Sequence, residues 1–201
     1  MCFSVMVKMI DLFRTTLYTN ENVELAKSLL EPCKTVLKET SFHEDYLYGK
    51  TTFFDDDLLK KHNDKFMNFY KYVSQHALIY IKQLKLDLKP ETKLKFNTVW
   101  ISEMYKHGSH GLHTHHGSFL SGNFYIHCPP KSSPLLLYTY DYTFDPFCEV
   151  PKKEENPTNN YMVSYKVEEG HLLLWKANVP HSVPQNHSDS RITISFNLNL
   201  I

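Results

Sequence analysis

The sequence predicts an α+β chain that is mainly β: helices first, then consecutive antiparallel strands forming a β-sandwich or barrel, with the helices packed on one outer face. Three observations lead there. Apolar residues recur at helical spacing only before Leu86. From Phe96 onward come apolar runs of strand length, punctuated by Pro and Gly. Two of those runs alternate large apolar side chains with short uncharged polar ones, which separates a core face from a polar face. A length of 201 residues fits one domain. The expected layout is therefore a single unit, 1–201, with an N-terminal strand and supporting helices over 1–94 and a β core over 95–201.

Taken in order, residues 2–10 are apolar but cut by Lys8, short of the roughly 18 apolar residues of a spanning helix, and read as an early strand. Over 22–39, Ala26, Leu29, Leu30, Cys33, Val36 and Leu37 follow helical spacing, with Pro32 expected to kink or split the segment. The acidic run Asp55, Asp56, Asp57 suits a helix N-terminus. Behind it, Leu59, His62, Phe66, Phe69, Val73, His76, Ala77 and Tyr80 predict one long helix ending between Gln83 and Leu86. His62 and His76 lie on that stripe and read as hydrogen-bonded core or boundary residues rather than ligands. Strands are predicted over 96–105, 119–127, 135–140, 161–167, 171–175 and 191–200. The polar, Pro-containing stretch 142–160 reads as a long loop, either a lid or a plain surface loop.

The polar faces are informative. Over 191–200, Arg191, Thr193, Ser195, Asn197 and Asn199 alternate with Ile192, Ile194, Phe196, Leu198 and Leu200. Over 119–127, Ser121, Asn123, Tyr125 and His127 alternate with Leu120, Gly122, Phe124 and Ile126. A solvated sheet face is the ordinary explanation, but such faces usually carry Lys and Glu. Short uncharged polar groups suit the inside of a ligand-holding barrel.

Composition excludes several functions. Lys+Arg and Asp+Glu are 22 each, so no whole-protein field recruits nucleic acid or an anionic membrane. Cys2, Cys33, Cys128 and Cys148 are scattered without a C-x-x-C pair, which argues against a zinc ribbon or a redox pair and for reduced thiols in a cytoplasm. Gly49-Lys50-Thr51 lacks the earlier Gly of a phosphate loop, and H-E-x-x-H and G-x-S-x-G are absent.

Six of the 12 His fall between His107 and His127, together with Gly108, Gly111, Gly117 and Gly122. Within that stretch His113-Thr114-His115 is H-x-H, and on a strand the side chains at i and i+2 share a face, so both imidazoles can reach one metal. The H-x-x-H-x-x-H series His107, His110, His113 would need a helix, which Gly108 and Gly111 oppose. His181 follows the 171–175 strand, and Arg191 opens the last strand ten residues later.

Residues 98–101, 113–125, 170–175, 179–186 and 191–197 resemble the 2-oxoglutarate- and Fe(II)-dependent oxygenases of marine bacteria and their phages, which are similar to the prolyl-4-hydroxylase group. The resemblance covers roughly 98–200. It implies a double-stranded β-helix, the jelly-roll or cupin-like barrel, with a metal-binding β core. It implies Fe(II) as metal, 2-oxoglutarate and O₂ as cosubstrates, and decarboxylation to succinate and CO₂ coupled to C–H oxidation of a substrate. By position, His113, His115 and His181 match the metal ligands, and Arg191 matches the residue that pairs with the distal carboxylate of 2-oxoglutarate, for which a bidentate guanidinium is suited. Thr193, on the Arg191 face, adds a hydroxyl toward that carboxylate, and also reads as an ordinary β-branched strand residue. Tyr125 and Asn123 are cosubstrate candidates placed only by the polar face of their strand. The wider superfamily carries a carboxylate where this chain has His115, so the site is one charge more positive. Proteins of this superfold often dimerise, which makes a homodimer one expectation.

Two other readings compete. A cupin-like metal-binding protein or non-oxidative metalloenzyme would share the barrel, but the Glu that cupins carry four or five residues after H-x-H is replaced by Phe119 and Leu120. A surface His cluster on an ordinary sandwich would bind no metal. The substrate to be oxidised is not legible.

Overall fold

The computed structural model describes residues 15–41, 43–140, 151, 153–154 and 160–201. The expected strand over 2–10 and nearly all of the lid candidate lie outside the described residues. The architecture is a double-stranded β-helix. Among the described residues its larger sheet has six strands in the order β1-β8-β5-β10-β3-β2: β1 (Tyr18–Glu21), β8 (His171–Lys176), β5 (Leu120–His127), β10 (Ser190–Leu200), β3 (Leu94–Tyr105) and β2 (Gly49–Thr51). The smaller sheet has the order β4-β9-β6-β7, from β4 (His110–His113), β9 (His181–Val183), β6 (Leu135–Tyr138) and β7 (Met162–Tyr165). Every pairing is antiparallel.

The alternation read from the sequence divides the molecule into two cores. On one face of the larger sheet, Ile192, Ile194, Phe196 and Leu198 of β10 join Leu120, Phe124 and Ile126 of β5 and Leu172 and Leu174 of β8. Against this face pack Ala26, Leu29, Cys33 and Val36 of α1 (Val23–Glu39) and Phe69, Val73, Ala77 and Tyr80 of α3 (Met67–Gln83). Full burial of each large side chain here contributes roughly 1.5–3 kcal/mol, so this layer clamps the back of the sheet. Gly122 permits a close approach of β5 to its neighbours. A Cβ there would lie 2.5 Å from Phe196 Cζ and 2.6 Å from the Leu173 carbonyl oxygen. The opposite face turns into the barrel, where Met104, Tyr125, Leu173 and Trp175 meet Leu135 and Val183 of the smaller sheet.

The helices differ from expectation in two places. Pro32 lies inside an unbroken α1. Its missing N–H leaves only the carbonyl of Ser28, on the exposed face, without a helical partner, and water can satisfy it. The stripe from Ala26 to Leu37 stays buried, and Asn22 Oδ1 accepts the Leu25 N–H at 3.0 Å as the N-cap. The single long helix after Asp55 is instead α2 (Asp56–Lys61), a 3₁₀ turn (Asn63–Phe66) and α3. The break falls at His62, whose Nε2 pairs with Glu39 Oε1 at 2.9 Å and ties the turn to the end of α1. His76 Nδ1 meets Tyr18 Oη at 2.7 Å, holding α3 over β1. Cys33 and Cys128 are free thiols. No helix among the described residues is long and apolar enough to cross a membrane.

Candidate metal and cosubstrate site

The short strands β4 and β9 lie side by side, with His113 opposite His181 in register. Their rings are 4.2 Å apart, and each ring lies about 5 Å from that of His115 (5.0 and 5.1 Å). One nitrogen from each of the three lies within 4.8 Å of the others, a spacing able to hold a metal ion. Both imidazoles of the H-x-H pair lie beside His181, although β4 ends at His113. His115 lies beyond the ladder and is held there by its N–H donating to the Ala177 carbonyl at 2.9 Å.

Two of the rings are oriented by backbone. His113 Nδ1 lies 2.8 Å from the Gly111 carbonyl, and His181 Nδ1 lies 2.9 Å from the Val179 carbonyl. A carbonyl only accepts, so each Nδ1 carries the proton and each Nε2 presents a lone pair. Burial first, and the neighbouring His113 second, pull His181 down to about 3 and His115 to about 4. Both are neutral at pH 7, as ligands must be. Trp175 packs edge-on to His181 at 5.0 Å and Trp100 lies 5.8 Å from His115, so indoles flank two of the imidazoles.

The rest of the His-rich stretch separates from the triad. His116 is exposed and bonds Thr114 Oγ1 at 2.9 Å. His107 is exposed and lies 3.4 Å from Gln185 Nε2. His110 stacks on His113 with ring centroids 4.2 Å apart, so it braces the first of the triad. His127 Nδ1 lies 3.8 Å from Glu169 Oε2.

Arg191 is 3% exposed on the barrel side of β10. Its guanidinium sits 5.0 Å over the Tyr125 ring, and its Nε and Nη2 are buried without a hydrogen-bond partner among the described residues. Burial of an unpaired guanidinium costs several kcal/mol. Such a group calls for an anion of matching shape. Asn123 Nδ2 lies 3.4 Å from Tyr125 Oη. Burial raises the Tyr125 pKa, with Arg191 opposing, and the ring stays a neutral phenol. Thr193 is 4% exposed and in register with Ser102 on one side and Tyr125 on the other. Tyr46, from the 3₁₀ turn Glu44–Tyr46, lies close enough to feel the same groups: burial raises its phenol pKa, and Ser102 and the Arg191 charge oppose that. No motif singled out Tyr46, because its turn lies outside both the helices and the β core.

A family model described as "Putative 2OG-Fe(II) oxygenase" matches residues 98–197, the stretch that contains the triad and Arg191. Through those residues the chain belongs to the 2-oxoglutarate- and Fe(II)-dependent oxygenase family. Solved oxygenases share the fold. A Pseudomonas putida prolyl-4-hydroxylase matches at 12% identity and a TM-score of 0.61, over 92% of this chain and 93% of that one. The α-ketoglutarate-dependent epimerase SnoN from nogalamycin biosynthesis matches at 12% identity and a TM-score of 0.64, over 92% and 79%. HygX from Streptomyces hygroscopicus, whose structure holds nickel, 2-oxoglutarate and hygromycin B, matches at 10% identity and a TM-score of 0.55, over 92% and 83%. No curated protein matches the chain in sequence.

Proposed function

We propose that this oxygenase is a hydroxylase in which His113, His115 and His181 hold Fe(II) and Arg191 anchors the distal carboxylate of 2-oxoglutarate, with Thr193, Tyr125 and Asn123 lining the cosubstrate pocket. The observation that carries the reading is the orphaned guanidinium. Nε and Nη2 of Arg191 are buried and, among the described residues, unpaired, in a barrel that also carries three imidazoles converging on one point. The donor set fits the metal, because imidazole suits Fe(II) and three ligands leave positions open for a cosubstrate. Bound Fe(II) with 2-oxoglutarate supplies oxidative decarboxylation to succinate and CO₂, with O₂ as the oxidant of a C–H bond.

The chain's own residues supply placement. Arg191 fixes one end of the cosubstrate by two parallel N–H···O bonds, from a buried position over the Tyr125 ring. Thr193 offers a hydroxyl on the same face. The carbonyls of Gly111 and Val179 hold the His113 and His181 rings, so neither ligand reorients when the metal arrives. Within this reading the chain is one unit, with 1–94 supporting the metal-binding core 95–201.

The cupin-like alternative lacks its carboxylate. Leu120 is fully buried in the core shared with the helices, and Phe119 packs against the same core, so neither position faces the triad. The deciding experiment is aerobic incubation of the protein with Fe(II) and 2-oxoglutarate. Succinate formation that requires both, and that is absent in His181→Ala, supports the reading. A metal-loaded protein that consumes no 2-oxoglutarate, alone or with candidate substrates, counts against it.

A further inference from the structure

His115 is the one member of the triad with no backbone carbonyl at its Nδ1. The group there is the side-chain amide of Asn197, with Nδ2 at 3.5 Å. Asn197 is 6% exposed, on the barrel side of β10, and is held from both neighbouring strands. Ser121 Oγ of β5 lies 2.6 Å from its Oδ1, and Thr98 Oγ1 of β3 lies 2.8 Å from its Nδ2. Both of those partners are hydroxyls, which donate or accept equally well. The amide can therefore turn by 180° without losing either bond.

The two orientations differ only at His115. With Nδ2 toward the ring, His115 must accept at Nδ1, and its proton goes to Nε2, the nitrogen turned away from Asn197. With Oδ1 toward the ring, His115 donates from Nδ1, and Nε2 is left with a lone pair. Only the second state can ligate through Nε2, and it reproduces at His115 the arrangement that Gly111 and Val179 impose on His113 and His181.

We propose that Asn197 is the positioning residue of His115: its amide oxygen accepts the His115 Nδ1–H and turns Nε2 toward His113 and His181. The inference rests on the three-His metal reading above. It also makes the ligand set electrically consistent, since all three imidazoles lean on neutral carbonyl oxygens and none on a carboxylate. The site then keeps the full charge of its metal for an anionic cosubstrate.

The test compares Zn(II) and Ni(II) affinity, by competition with a chelator, in the wild type, Asn197→Leu and Asn197→Asp, with metal-free melting as the folding control. Long-range ¹H–¹⁵N spectra of the Zn(II) protein report the His115 tautomer. Leu offers no acceptor, so metal affinity is expected to fall 10- to 100-fold. Asp only accepts, so affinity is expected to match or exceed the wild type, with the His115 Nδ1–H retained. Equal affinity in all three proteins overturns the proposal and leaves the metal site intact. So does an Asp variant that folds and binds as poorly as Leu. If Leu fails to fold, the Asp result decides alone. A wild type that binds neither metal overturns the metal reading itself, and this inference with it.

Discussion

His113 and His181 face each other across the β4–β9 pair with rings 4.2 Å apart, and each gives its Nδ1 to the carbonyl two residues before it in its own chain segment. Ring orientation is thus built into the backbone of two strands only three and four residues long. His115 completes the group from outside the ladder, and His110 and His116 do not join it. His113→Ala or His181→Ala is therefore expected to abolish Ni(II)-dependent thermal stabilisation. His116→Ala is expected to leave it unchanged, as is His110→Ala apart from a small loss of stacking. Loss of the shift in His116→Ala would assign the site to the wrong imidazoles.

Arg191 gives a prediction with two signs. Its unpaired buried guanidinium burdens the ligand-free fold, and replacing buried charge by apolar side chains is often neutral or stabilising. Arg191→Leu is expected to melt at or above the wild-type temperature without ligand. It should also lose the extra stabilisation that 2-oxoglutarate adds to the Ni(II) protein, since a ligand that binds only the folded state raises its stability. A retained 2-oxoglutarate shift removes Arg191 from the cosubstrate pocket.

Acid should weaken the metal-free protein. His181 and His115 are depressed from 6.5 to about 3 and about 4, by burial first and His113 second. The unfolded chain takes up these protons near pH 6.5, and the folded chain only near 4 and 3. Across that window the unfolded state binds more protons, so stability falls as pH drops and these groups add no further change above 6.5. Melting of the metal-free protein is expected to decline from pH 6.5 toward 4, less steeply in His181→Leu. A flat profile would contradict the neutral state of His181 and His115.

Trp175 is 1% exposed, edge-on to His181, and its Nε1 has no partner among the described residues. An unsatisfied buried donor costs about 1–3 kcal/mol, which offsets the packing that the larger ring contributes. Trp175→Phe is expected to change metal-free stability by less than about 1 kcal/mol in urea unfolding. A loss typical of a cored-out aromatic, about 3–5 kcal/mol, would show the indole to be an essential packing element.

Much of this was legible one strand at a time. The alternation of β10 assigned Ile192, Ile194, Phe196 and Leu198 to the helix side and Arg191, Thr193 and Asn197 to the barrel, because a period of two leaves no other choice on a sheet covered on one face. Spacing drew attention to H-x-H, and the family resemblance added His181 and Arg191. The strands Tyr18–Glu21, Gly49–Thr51 and His181–Val183 escaped notice. Three or four residues show no periodicity, and pairing with a longer neighbour decides their state. Helical spacing ran unbroken through His62, yet the chain turns there to meet Glu39, a contact between segments that local pattern cannot register. Asn197 stood in plain view on the polar face, but its place beside His115 depends on how β10 and the β4–β5 turn meet in space.

The central claim is that the triad and Arg191 act on one ligand pair. The most direct measurement is anaerobic titration of 2-oxoglutarate into the Fe(II)-loaded protein, followed by visible charge-transfer absorption from chelation at the metal. A saturable band is expected in the wild type, absent in His181→Ala and reached only at much higher 2-oxoglutarate in Arg191→Leu. A wild type that holds Fe(II) yet shows no band at any 2-oxoglutarate concentration would contradict it.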